Sequence, residues 1–210
     1  LKETLSQINK SKKWEYNVSW IDTSPSTKEI GRSIISRGHF YKKKRYSLSH
    51  GHSKELFALP NIFPFSLMNR FIIKFLNTLY FTFTKSGTRL TSIENFFYPL
   101  DKIKNWYRLY GKNGFIQYQF VIPKSNSIQA ITEILDFINT SGVFSSLAVL
   151  KLHSKENKNY ISFPIEGYSL AMDFPISNKI SKILKKIDEL VLHHGGKIYL
   201  TKDSILDENN

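Results

Sequence analysis

Apolar residues recur along this chain with two different periods, and each change of period marks an element. Phe115 to Ile122 alternates apolar and polar positions and stops at Pro123, the pattern of a strand. Ile128, Ile131, Leu135 and Ile138 then follow at helical spacing, with Asn126 placed to cap the helix and Gly142 to stop it. Ser146 to Leu152 and Tyr168 to Phe174 read as two more strands. A second amphipathic helix carries Ile180, Ile183, Leu184, Ile187 and Val191 on one face, between Asn178 as its cap and Gly195-Gly196 as its end. Lys197 to Thr201 makes a short last strand. The order β-α-β-β-α-β is the split βαβ or ferredoxin-like plan.

The preceding half, about residues 1–112, is less regular. Trp14 to Asp22 and Ser33 to Phe40 read as strands, and Ile93 to Tyr98 as a short strand ending at Pro99. Tyr41 to Glu55 joins the basic run Lys42-Lys-Lys-Arg45 to Ser, Gly and His and is expected to be a mobile loop. Pro60 and Pro64 introduce a helix over Ser66 to Phe83 that Gly87 ends. Its apolar character suits a core helix, with a lipid-facing surface helix as the second reading. The fold class expected is α+β: an antiparallel sheet with helices on one face, the ferredoxin-like half covering about residues 113–202.

Strand parity points toward chemistry. Side chains two apart share a face of a sheet. Ile116, Tyr118, Phe120, Ala148, Leu150, Leu152, Leu170, Met172 and Phe174 form the apolar face that must meet the helices. The opposite face then displays Gln117, Gln119, Lys151, Ser169, Ala171 and Asp173. Ordinary solvation would leave such a polar face, and so would the floor of a site for a polar substrate.

Charge and composition narrow the classes. The 210 residues hold 30 Lys+Arg against 17 Asp+Glu, a net charge of +13, and no Cys, which excludes disulfides, thiolate metal sites and a Cys nucleophile. A basic ferredoxin-like fold invites comparison with RNA-recognition modules. Asn113 to Phe120 matches their aromatic strand motif only at Gly114, Phe115 and Phe120, and on the wrong strand, so nucleic acid is not expected as a partner. A basic surface-binding module, for phosphates or an anionic membrane, stays as the alternative class. His50 and His52 lack the neighbours of a coordination sphere, and no metal site is expected. No G-x-G-x-x-G, Walker or G-x-S-x-G motif occurs. Asn69, Arg70, Lys74, Asn77 and Thr78 interrupt the most apolar stretch, so no transmembrane segment is expected, and no signal peptide opens the chain. A chain opening on Leu1 reads as a piece of something longer, either cytoplasmic or peripheral at the inner membrane face.

Several long segments, in order, carry a resemblance: Phe96-Phe-Tyr-Pro-Leu-Asp101, Asn105-Trp-Tyr-Arg-Leu-Tyr-Gly111, Gly114-Phe-Ile-Gln-Tyr-Gln-Phe-Val-Ile-Pro123 and Ala148-Val-Leu-Lys151. Ile161-Ser-Phe-Pro164, Gly167-Tyr-Ser-Leu-Ala-Met-Asp-Phe-Pro175, Gly195-Gly-Lys-Ile-Tyr-Leu-Thr-Lys-Asp-Ser204 and, more loosely, Tyr16-Asn-Val-Ser-Trp-Ile-Asp22 extend it. Together they resemble the decaprenylphosphoryl-β-D-ribose 2′-oxidase-like family of FAD-linked oxidoreductases, in the vanillyl-alcohol-oxidase superfamily. The resemblance implies a substrate or cap domain spanning residues 1–210, with the FAD-binding domain outside it. It implies oxidation of a sugar or alcohol, such as a polyprenyl-phosphate-linked pentose, by hydride transfer to flavin N5. A sugar-lactone oxidase or a sterol-type reductase of the same superfamily is the near alternative.

By the same resemblance Lys202 is the cation beside the flavin, with Tyr199 next to it, and Trp20, Tyr98, Gln119, Lys151, Ser169 and Ala171 line the substrate pocket, to which strand parity adds Gln117. Partners expected are the sugar or polyprenyl-phosphate-sugar substrate, the protein's own FAD-binding domain and a following ketoreductase, with peripheral membrane contact through the basic loop as a further reading. Two positions depart from the family: Ala171 stands where its best-known members have Cys, and Ser169 where they have Asn. A thiol-directed inhibitor of those enzymes would find no target here.

Overall fold

The computed structural model describes residues 1–24, 31–41, 57–153, 155–157, 159 and 162–202. The basic run and the two loop histidines, with most of the expected mobile loop, lie outside the described residues. Five α-helices lie among the described residues: α1 (Lys2–Lys10), α2 (Arg70–Phe83), α3 (Ile93–Phe97), α4 (Ser127–Ser141) and α5 (Ile180–His193). The strands are β1 (Tyr16–Ile21), β2 (Ser33–Gly38), β3 (Phe57–Ala58), β4 (Ile103–Lys104), β5 (Phe115–Pro123), β6 (Leu147–His153), β7 (Gly167–Pro175) and β8 (Lys197–Ile198).

Six of these strands form one antiparallel sheet in the order β2-β1-β6-β7-β5-β8. The β6-β7-β5-β8 part is the ferredoxin-like unit expected from the pattern, each crossover helix returning its chain to the strand beyond the next. The less regular half adds β1 and β2 to the same sheet, and β3 and β4 pair separately in parallel. One face of the sheet carries the core. Tyr118, Phe120, Ile122, Leu150, Leu170, Met172 and Phe174 meet Ile131, Ile134, Leu135 and Ile138 of α4 and Leu184, Ile187 and Val191 of α5, all buried. Helix α1, not foreseen in the sequence, adds Leu5 and Ile8 to this core. Polar tethers bind the layers: the Tyr118 hydroxyl donates to Asp188 at 2.5 Å, and His194 Nε2 meets Glu133 of α4 at 2.8 Å.

Several expectations are corrected. Ile93–Phe97 is a helical turn and not a strand, because the Ser92 hydroxyl accepts from Asn95 N–H and holds the first turn closed. The chain after β8 turns into a 3₁₀ helix over Leu200–Lys202, which shortens the expected last strand. The cap of α5 is Lys179, one residue past Asn178, and makes no side-chain cap bond. Asn126 does stand at the cap of α4, but its amide donates to His194 O at 3.3 Å and not to the helix.

The reading of the apolar helix as a core helix is overturned. Helix α2 buries only Ile73 and Asn77. Asn77 donates to Asp22 at 2.8 Å, Arg32 pairs with the same carboxylate, and Tyr80 meets Trp20 edge-on at a centroid distance of 5.0 Å. The helix is held to the sheet by a buried amide, the Trp20–Tyr80 contact and the Arg32 guanidinium 4.7 Å over the Phe81 ring, while most of its aromatic residues face outward.

Candidate functional site

The sheet face opposite the core collects the polar residues that parity assigned to it. Register places them in rows across the strands. One row runs Trp20, Val149, Ala171, Gln119, and Tyr199 joins its end by donating its N–H to Gln119 O at 2.8 Å. The neighbouring row on one side is Lys151, Ser169, Val121 and Lys197, and on the other Leu147, Asp173 and Gln117. A one-residue slip of any strand would turn its members into the core, so the apolar face fixes the polar one.

The members are held in different ways. Ser169 is fully buried and accepts from the Gln119 amide at 3.2 Å, so it orients Gln119 and does not itself reach a ligand. Gln117 donates to the buried Asp173 carboxylate at 2.7 Å. Burial pushes the Asp173 carboxyl up to about 6, partly offset by the Gln117 hydrogen bond and the Lys202 charge. Lys151 is pulled below the ordinary lysine range, first by desolvation and then by the Lys202 charge. Lys202 is therefore felt by both groups: the 3₁₀ turn after β8 brings its ammonium over the face, 6.0 Å from the Tyr199 ring centroid. Among the described residues neither Lys151 nor Lys202 has an acidic ion-pair partner. Two cations over a floor of amides, with the Asp173 carboxyl on the same face and within reach of the Lys202 charge, form an arrangement suited to a hydroxyl-rich or negatively charged group.

The walls are aromatic. Trp20 and Tyr80 stand at the β1 side. At one end Tyr110 stacks on Phe115 at 4.5 Å and its hydroxyl bonds Ser146, beside Asp173. At the other end Phe163, from the β6–β7 connection, packs on Tyr199 at 4.6 Å and edge-on to His153 at 6.0 Å. Lys197 holds that connection down through Glu156 at 2.5 Å and Ser162 O at 3.1 Å. A separate shallow hollow beside Asn61, Tyr107, Arg108 and Lys112 reaches this face only at Phe115.

Of the expected site residues, Trp20, Gln117, Gln119, Lys151, Ser169, Ala171, Tyr199 and Lys202 come together on this face. Tyr98 does not join them by any described contact. It is 59% exposed at the end of α3, where its ring neighbour is Phe97, packed in turn on Tyr16. Two residues were missing from the expected set. Asp173 was on the right face by parity but had no assigned role. His153 continues the alternation Leu147, Val149, Lys151, and its Nε2 is buried without a hydrogen-bond partner; burial, then the Lys151 charge, lowers its pKa. The strand aromatics Tyr118 and Phe120 lie in the core, so they offer no stacking platform for bases. Among the described residues no group of three or more His, Asp or Glu is placed to hold a metal ion.

No family model matches the chain. Among curated proteins, it is 35% identical over 200 residues to the decaprenylphosphoryl-beta-D-ribose oxidase of Mycolicibacterium smegmatis. The alignment covers 91% of this chain and 43% of that protein, so the chain spans less than half the length of the curated relative it matches. The similarity supports the family suggested by the motifs, for one part of such a protein.

Proposed function

We propose that this chain is the substrate-binding domain of an FAD-dependent oxidoreductase that oxidises a sugar or alcohol, with a polyprenyl-phosphate-linked pentose as the best-fitting substrate. The observation that carries the reading is the pair Lys151 and Lys202 over the Gln119–Ala171 floor, in a chain similar to an oxidase of a polyprenyl-phosphate-linked ribose. FAD, when bound, supplies the acceptor of the hydride. The donor set fits that group: a lysine without an acidic partner, next to an aromatic ring, suits a place where negative charge develops.

In this reading Lys202 stabilises that charge, with Tyr199 beside it. Lys151 binds the substrate's anionic or hydroxyl-rich part, and Gln119, oriented by Ser169, donates to a hydroxyl. Trp20 and the Phe163 end exclude water from the floor, which strengthens each of these polar contacts. Ala171 keeps the centre of the floor small and unreactive. Asp173, buried and held by Gln117, is the carboxyl on this face whose ionisation falls nearest neutral pH, and its charge state sets the field beneath the floor without contact to the substrate.

Anaerobic stopped-flow on the flavin-loaded, full-length protein tests the assignment. Lys202→Ala is expected to slow flavin reduction by about 10²–10³, the usual cost of losing one preorganised electrostatic donor. Lys151→Ala is expected to raise KM more than it lowers kcat, because its contact exists already in the ground state. Unchanged flavin reduction in Lys202→Ala would end the assignment.

A further inference from the structure

We infer that helix α2 is a membrane-surface anchor, which seats this face of the protein on an anionic lipid bilayer. At 100° per residue Phe71, Phe75, Leu79 and Phe83 form one stripe, and they are 82%, 62%, 36% and 75% exposed. The buried side of the helix is the opposite one, marked by Ile73 and Asn77. A helix with its amide inward and its phenylalanines outward has its larger apolar face without a partner among the described residues. Ile62 and Phe65, earlier in the same acid-free segment, are likewise exposed, at 69% and 68%.

Charge selects the occupant. From Leu56 to Ile93 the chain contains no Asp or Glu, while Arg70, Lys74, Lys85 and Arg89 are all present. Aromatic residues on one face with only basic charges around them match the headgroup boundary of an anionic membrane, where Lys and Arg reach phosphates and rings enter the acyl region. The helix spans about 21 Å, too short for a hydrocarbon core of about 30 Å, so it lies in the interface plane. No helix among the described residues is long and apolar enough to cross a membrane.

Position separates this surface from the flavin end of the site. Helix α2 packs at β1, whereas Lys202 follows β8, four strand steps or about 19 Å across the sheet. A flavin domain meeting Lys202 would approach from the far end of the row. The inference stands on the helix itself and does not depend on the oxidase reading. A lipid-linked substrate would simply have a short path from the bilayer, past Tyr80 and Trp20, to the floor.

Co-sedimentation of the full-length protein with large unilamellar vesicles, at 7:3 phosphatidylcholine to phosphatidylglycerol and with phosphatidylcholine alone, is the test. Binding to the anionic vesicles is expected, about tenfold weaker to the neutral ones and weakened by salt. Phe71→Ser with Phe75→Ser is expected to lower binding at least about tenfold with an unchanged circular dichroism spectrum and melting temperature. Equal binding by the double variant, or none by the unaltered protein, would overturn the proposal. So would finding that the double variant abolishes a lipid-free dimer, or loses its flavin, with vesicle binding intact: the stripe would then belong to a second copy or to the flavin domain. Lys202→Ala should bind vesicles normally, so a failure of the oxidase reading and a failure of the anchor are read separately.

Discussion

Asp173 is 2% exposed, and its carboxyl keeps its proton up to about pH 6, whereas the same group in an unfolded chain ionises near 3.8. The folded state therefore binds more protons between these values. By linkage, stability is greatest below the unfolded pKa and falls as pH rises through that window, then stays level above it. Asp173→Asn keeps an acceptor for the Gln117 amide and removes the buried charge. The variant is expected to match the parent near pH 4 and to exceed it above about pH 6, by up to about 3 kcal/mol. Urea melts at the two pH values measure this, and parallel pH dependence in both proteins would refute it. In the proposed reaction the same substitution removes the only titrating carboxyl on the floor among the described residues, so a gain of stability and a flatter pH dependence of the rate near pH 6 are expected together.

Gly167 shows how one element positions the site. It begins β7 opposite Pro123, and a Cβ there would lie 2.0 Å from the Ile122 carbonyl oxygen. That oxygen is backbone and cannot step aside without displacing β5, which carries Gln117 and Gln119. Gly167→Ala is expected to destabilise by about 4 kcal/mol or more, a size reserved for steric or core damage. Gly114 has a positive φ of +71° but open space around it. Gly114→Ala should cost only the left-handed backbone penalty, about 1–2 kcal/mol. Thermal unfolding of the pair separates close approach from conformational strain. Helix α2 carries the complementary lesson: an apolar period says that a helix has a sticky face, not that the protein itself covers it. Asn69 caps the first turn by accepting from Phe71 and Ile72 N–H, and Asn77 anchors the middle, so polar residues seat an otherwise apolar helix.

At the scale of the molecule, a six-stranded sheet divides the protein into a dry side and a chemical side. The 210-residue chain has no Gly-rich phosphate cradle, and purified alone it is expected to show no stoichiometric flavin absorbance in the visible; a yellow, equimolar preparation would contradict this. The ferredoxin-like order, its two crossover helices and the faces of β5, β6 and β7 were legible in the sequence, because side-chain alternation and helical spacing are local and the apolar set allows only one register. Gln119, Lys151, Ser169 and Ala171 are thus grouped on one face by the sequence pattern alone. The joining of β1 and β2 to the same sheet, the turn that brings Lys202 over the floor, and the roles of Ser169 and His153 depended on contacts between residues far apart in the chain. Parity gives a residue its face, but burial depth is set by what packs above it. Only the tertiary structure therefore decided that Ser169 is buried beneath Gln119 while Lys151 stays exposed, that Asp173 titrates near neutrality, and that the most apolar helix of the chain is turned toward the outside.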